Sequence, residues 1–213
     1  MAKAAASGGA RVALIDFGKG APVGLLDACG SETLDLPGVD LTNPRAAESA
    51  LDAVAARFGG LDVLVNIAGG FAWETLEAGD PGTWDRLYAM NVRTAANACR
   101  SAIPHLKASS AGRIINIGAN GALKAGAGMG AYGASKAGVH RLTESLAEEL
   151  KGQVTVNAVL PSIIDTPANR ADMPQADVST WVTPGELAAV ILFLASVQAS
   201  AVTGALIPVT GRV

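Results

Sequence analysis

In the stretch "GAYGASKAG", Tyr132 and Lys136 stand four residues apart. On a helix, residues at that spacing lie one above the other on the same face. A phenol with an ammonium beside it is a proton donor with an electrostatic tuner, the equipment of general acid catalysis. The pair by itself fits an exposed helical tyrosine and lysine equally well, so the residues and elements around it decide.

Composition narrows the partners. With 213 residues, 50% of them hydrophobic and 16% charged, the chain suits one globular domain, residues 1–213, with a large core. A net charge of -3 and no run of like charges leave no basic field for a phosphate backbone, so nucleic acid is not an expected partner. Mean hydropathy is positive, yet apolar runs such as "AAVILFLAS" fall well short of the roughly 20 residues of a membrane span. No apolar signal segment with a cleavage site opens the chain. Cys29 and Cys99 read as reduced thiols of a cytoplasmic protein, and His105 and His140 lack ligand-spaced partners, so no metal site is expected.

The pair must be positioned by alternating strands and helices, the pattern of β-α-β units on a buried parallel sheet. Strands are predicted at 11–16, 61–68, 112–118, 153–161 and 204–210, with a weaker one in "ETLDLP". "NPRAAESALDAVAARFGG" opens with an Asn cap and a first-turn proline and stops at glycines, and "TPGELAAVILFLAS" carries a capping box, Thr183 with Glu186. Further helices are predicted at about 82–108 and 130–151. "SIIDTPANRADMPQADVSTWV", polar and broken by prolines, is too long for a simple connection and reads as a lid or a disordered loop.

With "NIAG" at 66–69, Asn91 in "YAMNVRT", "YGASK" at 132–136 and "VNAVLPSIIDTP" at 156–167 in this order, the chain resembles the short-chain dehydrogenase/reductase family along nearly its whole length. The resemblance implies a Rossmann-like, doubly wound parallel sheet in a single α/β domain, acting on a small molecule with a nicotinamide cofactor. It makes Tyr132 the general acid. Lys136 becomes the cation that lowers the phenol's pKa and holds the nicotinamide ribose, and Asn91 the anchor of a relay water. Asn66, Ala68, Gly69, Pro161 and Thr166 join Tyr132 and Lys136 in lining the cofactor. Asp40 resembles the acid that contacts adenine. Asp16, closing its strand, would accept the adenosine ribose hydroxyls and favour NADH over NADPH, although an Asp at a strand end is often only a turn former. Ser162 stands where the family commonly has glycine. The family also pairs the equivalents of the 82–108 and 130–151 helices, which implies a homodimer.

Two departures stand out. The family's first strand and glycine-rich turn would precede "AAASGGARVALID", yet no glycine fingerprint lies upstream of Asp16, so the N-terminal strand is expected to be missing and the sheet gapped beside the Asp16 strand. "GKGAPVG" reads as a surface turn. Second, the family commonly has a serine thirteen residues before the tyrosine, and that position is Ala119. Losing one of two donors to a developing oxyanion costs about 3–4 kcal/mol, so the substrate is expected to spread its charge over a conjugated system. Dihydropteridine reductases are similar in having alanine there. The chain resembles them further in "IAGGF" at 67–71, "GAYGASKAGVHRL" at 130–142 and "LPSIIDTPANRADMPQADVSTW" at 160–181. That likeness implies NADH-dependent reduction of a quinonoid dihydropterin. Phe71 and Trp181 would then be apolar faces near the flat ring, or simply packing, with Asn120 a candidate second donor. A generic short-chain reductase and a non-catalytic relative are the alternatives.

Overall fold

The computed structural model describes residues 1–213. Six short strands form two parallel sheets. The first joins β1 (Ala13–Ile15) to β2 (Leu34–Leu36), and the second runs β3 (Val63–Asn66), β4 (Arg113–Ile117), β5 (Thr155–Pro161) and β6 (Leu206–Val209) in that order. β4 and β5 are buried along almost their full length, as strands covered on both faces must be, which is why "RIINI" and "TVNAVL" read as continuous apolar runs and not as alternation.

Helices cover both faces. In chain order they are α1 (Ala2–Ser7), α2 (Leu25–Cys29), α3 (Pro44–Phe58), α4 (Gly82–Tyr88), α5 (Thr94–Ala108), α6 (Gly130–Glu149), α7 (Pro167–Asp172) and α8 (Pro184–Ala195). α3, α5 and α6 bury Leu51, Cys99, Leu106 and Leu146 against Leu64, Ile114 and Val156. On the other face α8 buries Leu187, Ile191 and Leu194 against Ile115 and Val159. The expected caps are present. The Asn43 carboxamide accepts the N–H groups of Arg45 and Ala46, and Thr183 and Glu186 close a reciprocal capping box.

Three sequence expectations need correction. The 82–108 helix is not uniform: a π turn, Ala89–Arg93, separates α4 from α5. "GKGAPVG" does lead into a helix, the five-residue α2, entered through Gly24 at φ 74°. The 162–182 segment is ordered by α7, by a 3-10 turn at Val178–Thr180 and by a parallel bridge between Ile164 and Val182.

β1 and β3 do not pair. β1 spends its backbone groups on β2, with Leu34 N–H to Val12 O and Asp16 N–H to Leu36 O, and β3 spends its own on β4. Between their free edges lies a cavity of about 840 Å³, walled by residues of both strands together with Met1, Val54, Ala98 and Leu192. It is mostly apolar, as the middle of a three-layer α/β/α domain is.

Candidate functional site

The site forms at the carboxyl ends of β3, β4 and β5, where open α/β sheets place their ligands. Three elements converge there: the turn after β3, the π turn and the first turns of α6. A π turn inserts one extra residue into a helix and is a frequent marker of functional sites. Here it carries Asn91, which is 1% exposed. The Asn91 amide is fully committed. Its Oδ1 accepts Gly70 N–H at 2.9 Å, and its Nδ2 donates to Gly70 O at 3.0 Å and to Ser135 Oγ at 2.9 Å. Ser135 in turn donates to Tyr132 O at 2.8 Å. Asn91 therefore ties the β3 turn to the tyrosine's own helix turn.

Gly69 is required by the same crowding. A Cβ there would meet Asn91 Oδ1 and stand 3.3 Å from Lys136 Nζ. Gly69 and Ala68 are exposed to the cleft, while Asn66 is buried and turned inward, donating to Asn116 Oδ1 at 2.8 Å and Cys99 Sγ at 3.2 Å. Asn116 passes the chain on to Thr143 Oγ1 at 2.9 Å. This polar ladder crosses β3, β4 and α6 inside the core. Ser135, Asn116 and Thr143 were missed in the sequence, where nothing but an unpaired polar residue in an apolar run could have marked them. The thiol of Cys99 is pushed up to about 12 by burial and is inert.

Lys136 lies on the buried face of α6, as the four-residue spacing from Tyr132 requires, with its Nζ donating to Ile117 O at 2.8 Å. Burial lowers its pKa to about 8. Tyr132 is half-buried, and burial raises its pKa above the ordinary 10. The expected lowering of the phenol by Lys136 is thus reversed: with no anion nearby, desolvation acts against the charged form of each group. A neutral phenol is a competent proton donor. Phe71, 61% exposed, meets it edge to face, with ring centroids 4.9 Å apart at 76°.

The remaining expected residues sit farther out. Pro161, buried, ends β5. Thr166 caps α7, its hydroxyl accepting Asn169 N–H at 3.2 Å. Ser162 donates to Thr210 O, which fixes the strand end despite the missing glycine. Asp16 is exposed beyond β1, and one carboxylate oxygen takes Gly18 N–H at 2.8 Å, so it does form a turn; its other oxygen makes no such bond. Asp40 takes both the N–H and the hydroxyl of Thr42, which holds its pKa below the ordinary value. Trp181 is 2% exposed and faces no cleft; it is packing, because Arg212 N–H bonds to Thr180 O and lays the C-terminal segment beside it. Ala119 is buried and carries no hydroxyl, and Asn120 begins the 3-10 turn Asn120–Ala122. No group of His, Cys, Asp and Glu side chains could hold a metal, and no helix is long and apolar enough to cross a membrane.

The nicotinamide end of a dinucleotide fits these residues: a buried lysine with two N–H groups to spare and the exposed backbone of Ala68 and Gly69 beside it. The diphosphate finds no strand and glycine turn paired between β1 and β3; residues of the α1 region, Met1, Ala2, Ala5 and Gly8, line the cavity there instead.

The family model described as enoyl-(acyl carrier protein) reductase matches residues 1–211. A 3-oxoacyl-(acyl-carrier-protein) reductase of Vibrio cholerae is 32% identical over 182 residues, covering 81% of this chain and 75% of that protein. A D-beta-hydroxybutyrate dehydrogenase of Rhizobium meliloti is 32% identical over 193 residues, with the same shares covered. Among solved structures, a 3-ketoacyl-(acyl-carrier-protein) reductase of Brucella melitensis complexed with NADH superposes with a TM-score of 0.84 at 30% identity, over 99% of this chain and 90% of that one.

Proposed function

Because the chain belongs to the short-chain dehydrogenase/reductase family, we propose that it moves a hydride between a nicotinamide cofactor and a small molecule, with Tyr132 as the proton donor. The observation that carries this reading is the convergence on one turn, Gly69–Gly70: Asn91 and Ser135 bond it to the Tyr132 backbone, and Lys136, held by Ile117 O, lies beside Gly69. The bound nicotinamide supplies the hydride. Tyr132 gives its proton to the substrate atom that gains charge, and its raised pKa keeps it protonated at neutral pH until that charge appears. Lys136, held by Ile117 O, has two further N–H groups for the ribose hydroxyls. Asn91 and Ser135 fix the turn and the tyrosine relative to each other.

On the adenosine side, Asp16 with its second oxygen would take the ribose hydroxyls and favour NADH over NADPH, and Asp40 would lie beside the adenine. The diphosphate cradle would come from an extended strand seated between β1 and β3 and followed by a glycine turn; two facing free edges of parallel strands fit that occupant. A homodimer through the α4, α5 and α6 faces completes the proposal.

For the substrate, the reading is a flat conjugated electrophile such as a quinonoid dihydropterin. Ala119 leaves Tyr132 as the one hydroxyl donor, which suffices only when the substrate delocalises the incoming charge, and the exposed Phe71 ring offers a planar molecule an apolar face. A second reading, reduction of a simple ketone, is favoured by the relatives, whose names specify oxoacyl and hydroxybutyrate substrates. Turnover of both substrate types with NADH separates them. Tyr132→Phe should lower kcat by roughly 10²–10⁴ on the true substrate; an unchanged kcat removes Tyr132 from the chemistry.

A further inference from the structure

α6 grips the end of β4 with two side chains one turn apart. Lys136 donates to Ile117 O, and His140 Nε2 faces the N–H of Ala119 at 3.3 Å. A ring nitrogen opposite an N–H must accept, so the ring is neutral and carries its proton on Nδ1. The ring is 2% exposed. Gly118 makes room for it: a Cβ there would stand 2.5 Å from Nε2 and 2.7 Å from Cδ2. The peptide that His140 holds leads directly into the 3-10 turn Asn120–Ala122, which packs on α6 where Tyr132 sits.

Everything around the ring disfavours a second proton. On its own helix the charges that act on it are Arg141 and Lys136, both positive, and Arg141 is already paired with Glu144 at 2.8 Å. Tyr132 and Thr143, above and below it on α6, are uncharged. The turn after β4 presents Gly118 and Ala119, and β5 presents Leu160, whose Cδ1 lies 3.2 Å from where a Cβ on Gly118 would stand. Glu144, four residues on along α6, is the carboxylate next on that helix, and it is engaged by Arg141. Burial, then Arg141, then Lys136 hold its pKa below 6.5.

We propose that His140 is a positioning residue of this site: its neutral ring holds the Gly118–Ala119 peptide, and through it the cleft wall beside Tyr132, and releases both when it is protonated. Protonation would set an N–H against an N–H. A base whose folded pKa is depressed contributes stability that is present above its unfolded pKa near 6.5 and is lost as pH falls through the folded value.

The test uses nuclear magnetic resonance of the full labelled chain, which needs no substrate and so stands apart from the proposed reaction. The expected result is an Nδ1–H tautomer, a ring titration below 6.5, and slow exchange of the Ala119 amide that is lost over the same pH range. His140→Leu should speed that exchange by about tenfold or more and abolish its pH step. His140→Gln, which keeps an acceptor, should restore protection without the step. In turnover with NADH and either substrate type, kcat should fall as the ring protonates while the cofactor KM stays level. An Nε2–H tautomer, a titration at or above 6.5, or Ala119 exchange indifferent to both ring and variant overturns the proposal. If His140→Leu does not fold, the wild-type tautomer and titration decide alone.

Discussion

Lys136→Met should make the protein more stable while removing its function. The lysine is 6% exposed, and its surroundings offer one carbonyl and no carboxylate. Burial brings its pKa from 10.5 to about 8, which corresponds to about 3 kcal/mol of destabilisation while the amine is charged. Methionine matches the length of the chain without the charge. It gives up the bond to Ile117 O, a loss of about 1 kcal/mol, so the net gain near pH 7 should be about 2 kcal/mol. The sign has a pH signature. The folded pKa is depressed, so between about 8 and 10.5 the folded state sheds a proton that the unfolded chain keeps, and wild-type stability recovers as pH rises through that window. Urea unfolding of both proteins from pH 7 to pH 10 should therefore show the variant ahead at the low end and the gap closing at the high end; other titrating groups cancel in the difference. A variant less stable at pH 7, or a gap that does not move with pH, would refute the claim that this cation is held against its desolvation. Such a cost is expected at working sites, where function and stability compete.

Ala119→Ser should raise kcat/KM for simple ketones by roughly 10²–10³, the worth of one oxyanion donor, and leave a quinonoid substrate little changed; ketone turnover already fast in the unaltered chain would transfer the donor role to Asn120 or end the charge argument. In a form extended ahead of Met1 by a strand and a glycine turn, Asp16→Ser should narrow the preference for NADH over NADPH, because it removes both the acceptor and the repulsion of a 2'-phosphate; an unchanged ratio of kcat/KM places Asp16 outside the site. Light scattering at micromolar concentration should give twice the chain mass, and a monomer mass excludes the homodimer.

The strands were legible because a sheet covered on both faces demands unbroken apolar runs, and "RIINI" and "TVNAVL" supply them. The capped helices were legible because Asn43, Thr183 and Glu186 satisfy backbone groups within a single turn. Tyr132, Lys136 and Asn91 could be picked out by spacing. What failed to show is long-range. Trp181 could have been an apolar face near a flat ring or packing, and at 2% exposed it is packing, in a segment that Arg212, about thirty residues on, bonds through Thr180 O. Asp16 and Asp40 looked free to bind a ligand, but each first serves its own turn. The partner of Lys136 is a carbonyl of another element, so the desolvation that governs both Lys136 and Tyr132 is invisible in a four-residue spacing. His140, set aside as a histidine without ligand partners, has a partner in the Ala119 backbone just after β4.

The two sheets divide the labour of the site. Tyr132, Lys136 and Asn91 are anchored wholly to the four-stranded sheet and its helices, whereas Asp16 follows β1 of the two-stranded sheet, whose partly buried Ile15 of β1 and Leu36 of β2 pack on the core cluster of α3, α5 and α6. The cavity of about 840 Å³ lies between them. Chemistry and adenosine recognition are therefore separable, and a cofactor should gain little from its far half while no cradle spans the gap. Reduced nicotinamide mononucleotide, which lacks the adenosine half, should bind this chain within a few-fold of NADH in calorimetric titration. A segment placed ahead of Met1 that supplies an extended apolar strand and a glycine turn should raise NADH affinity strongly, leave the mononucleotide nearly unchanged, and stabilise the fold by pairing both free edges. Micromolar NADH binding by the 213-residue chain, far tighter than the mononucleotide, would show that some segment already present cradles the diphosphate and that the cavity serves another end.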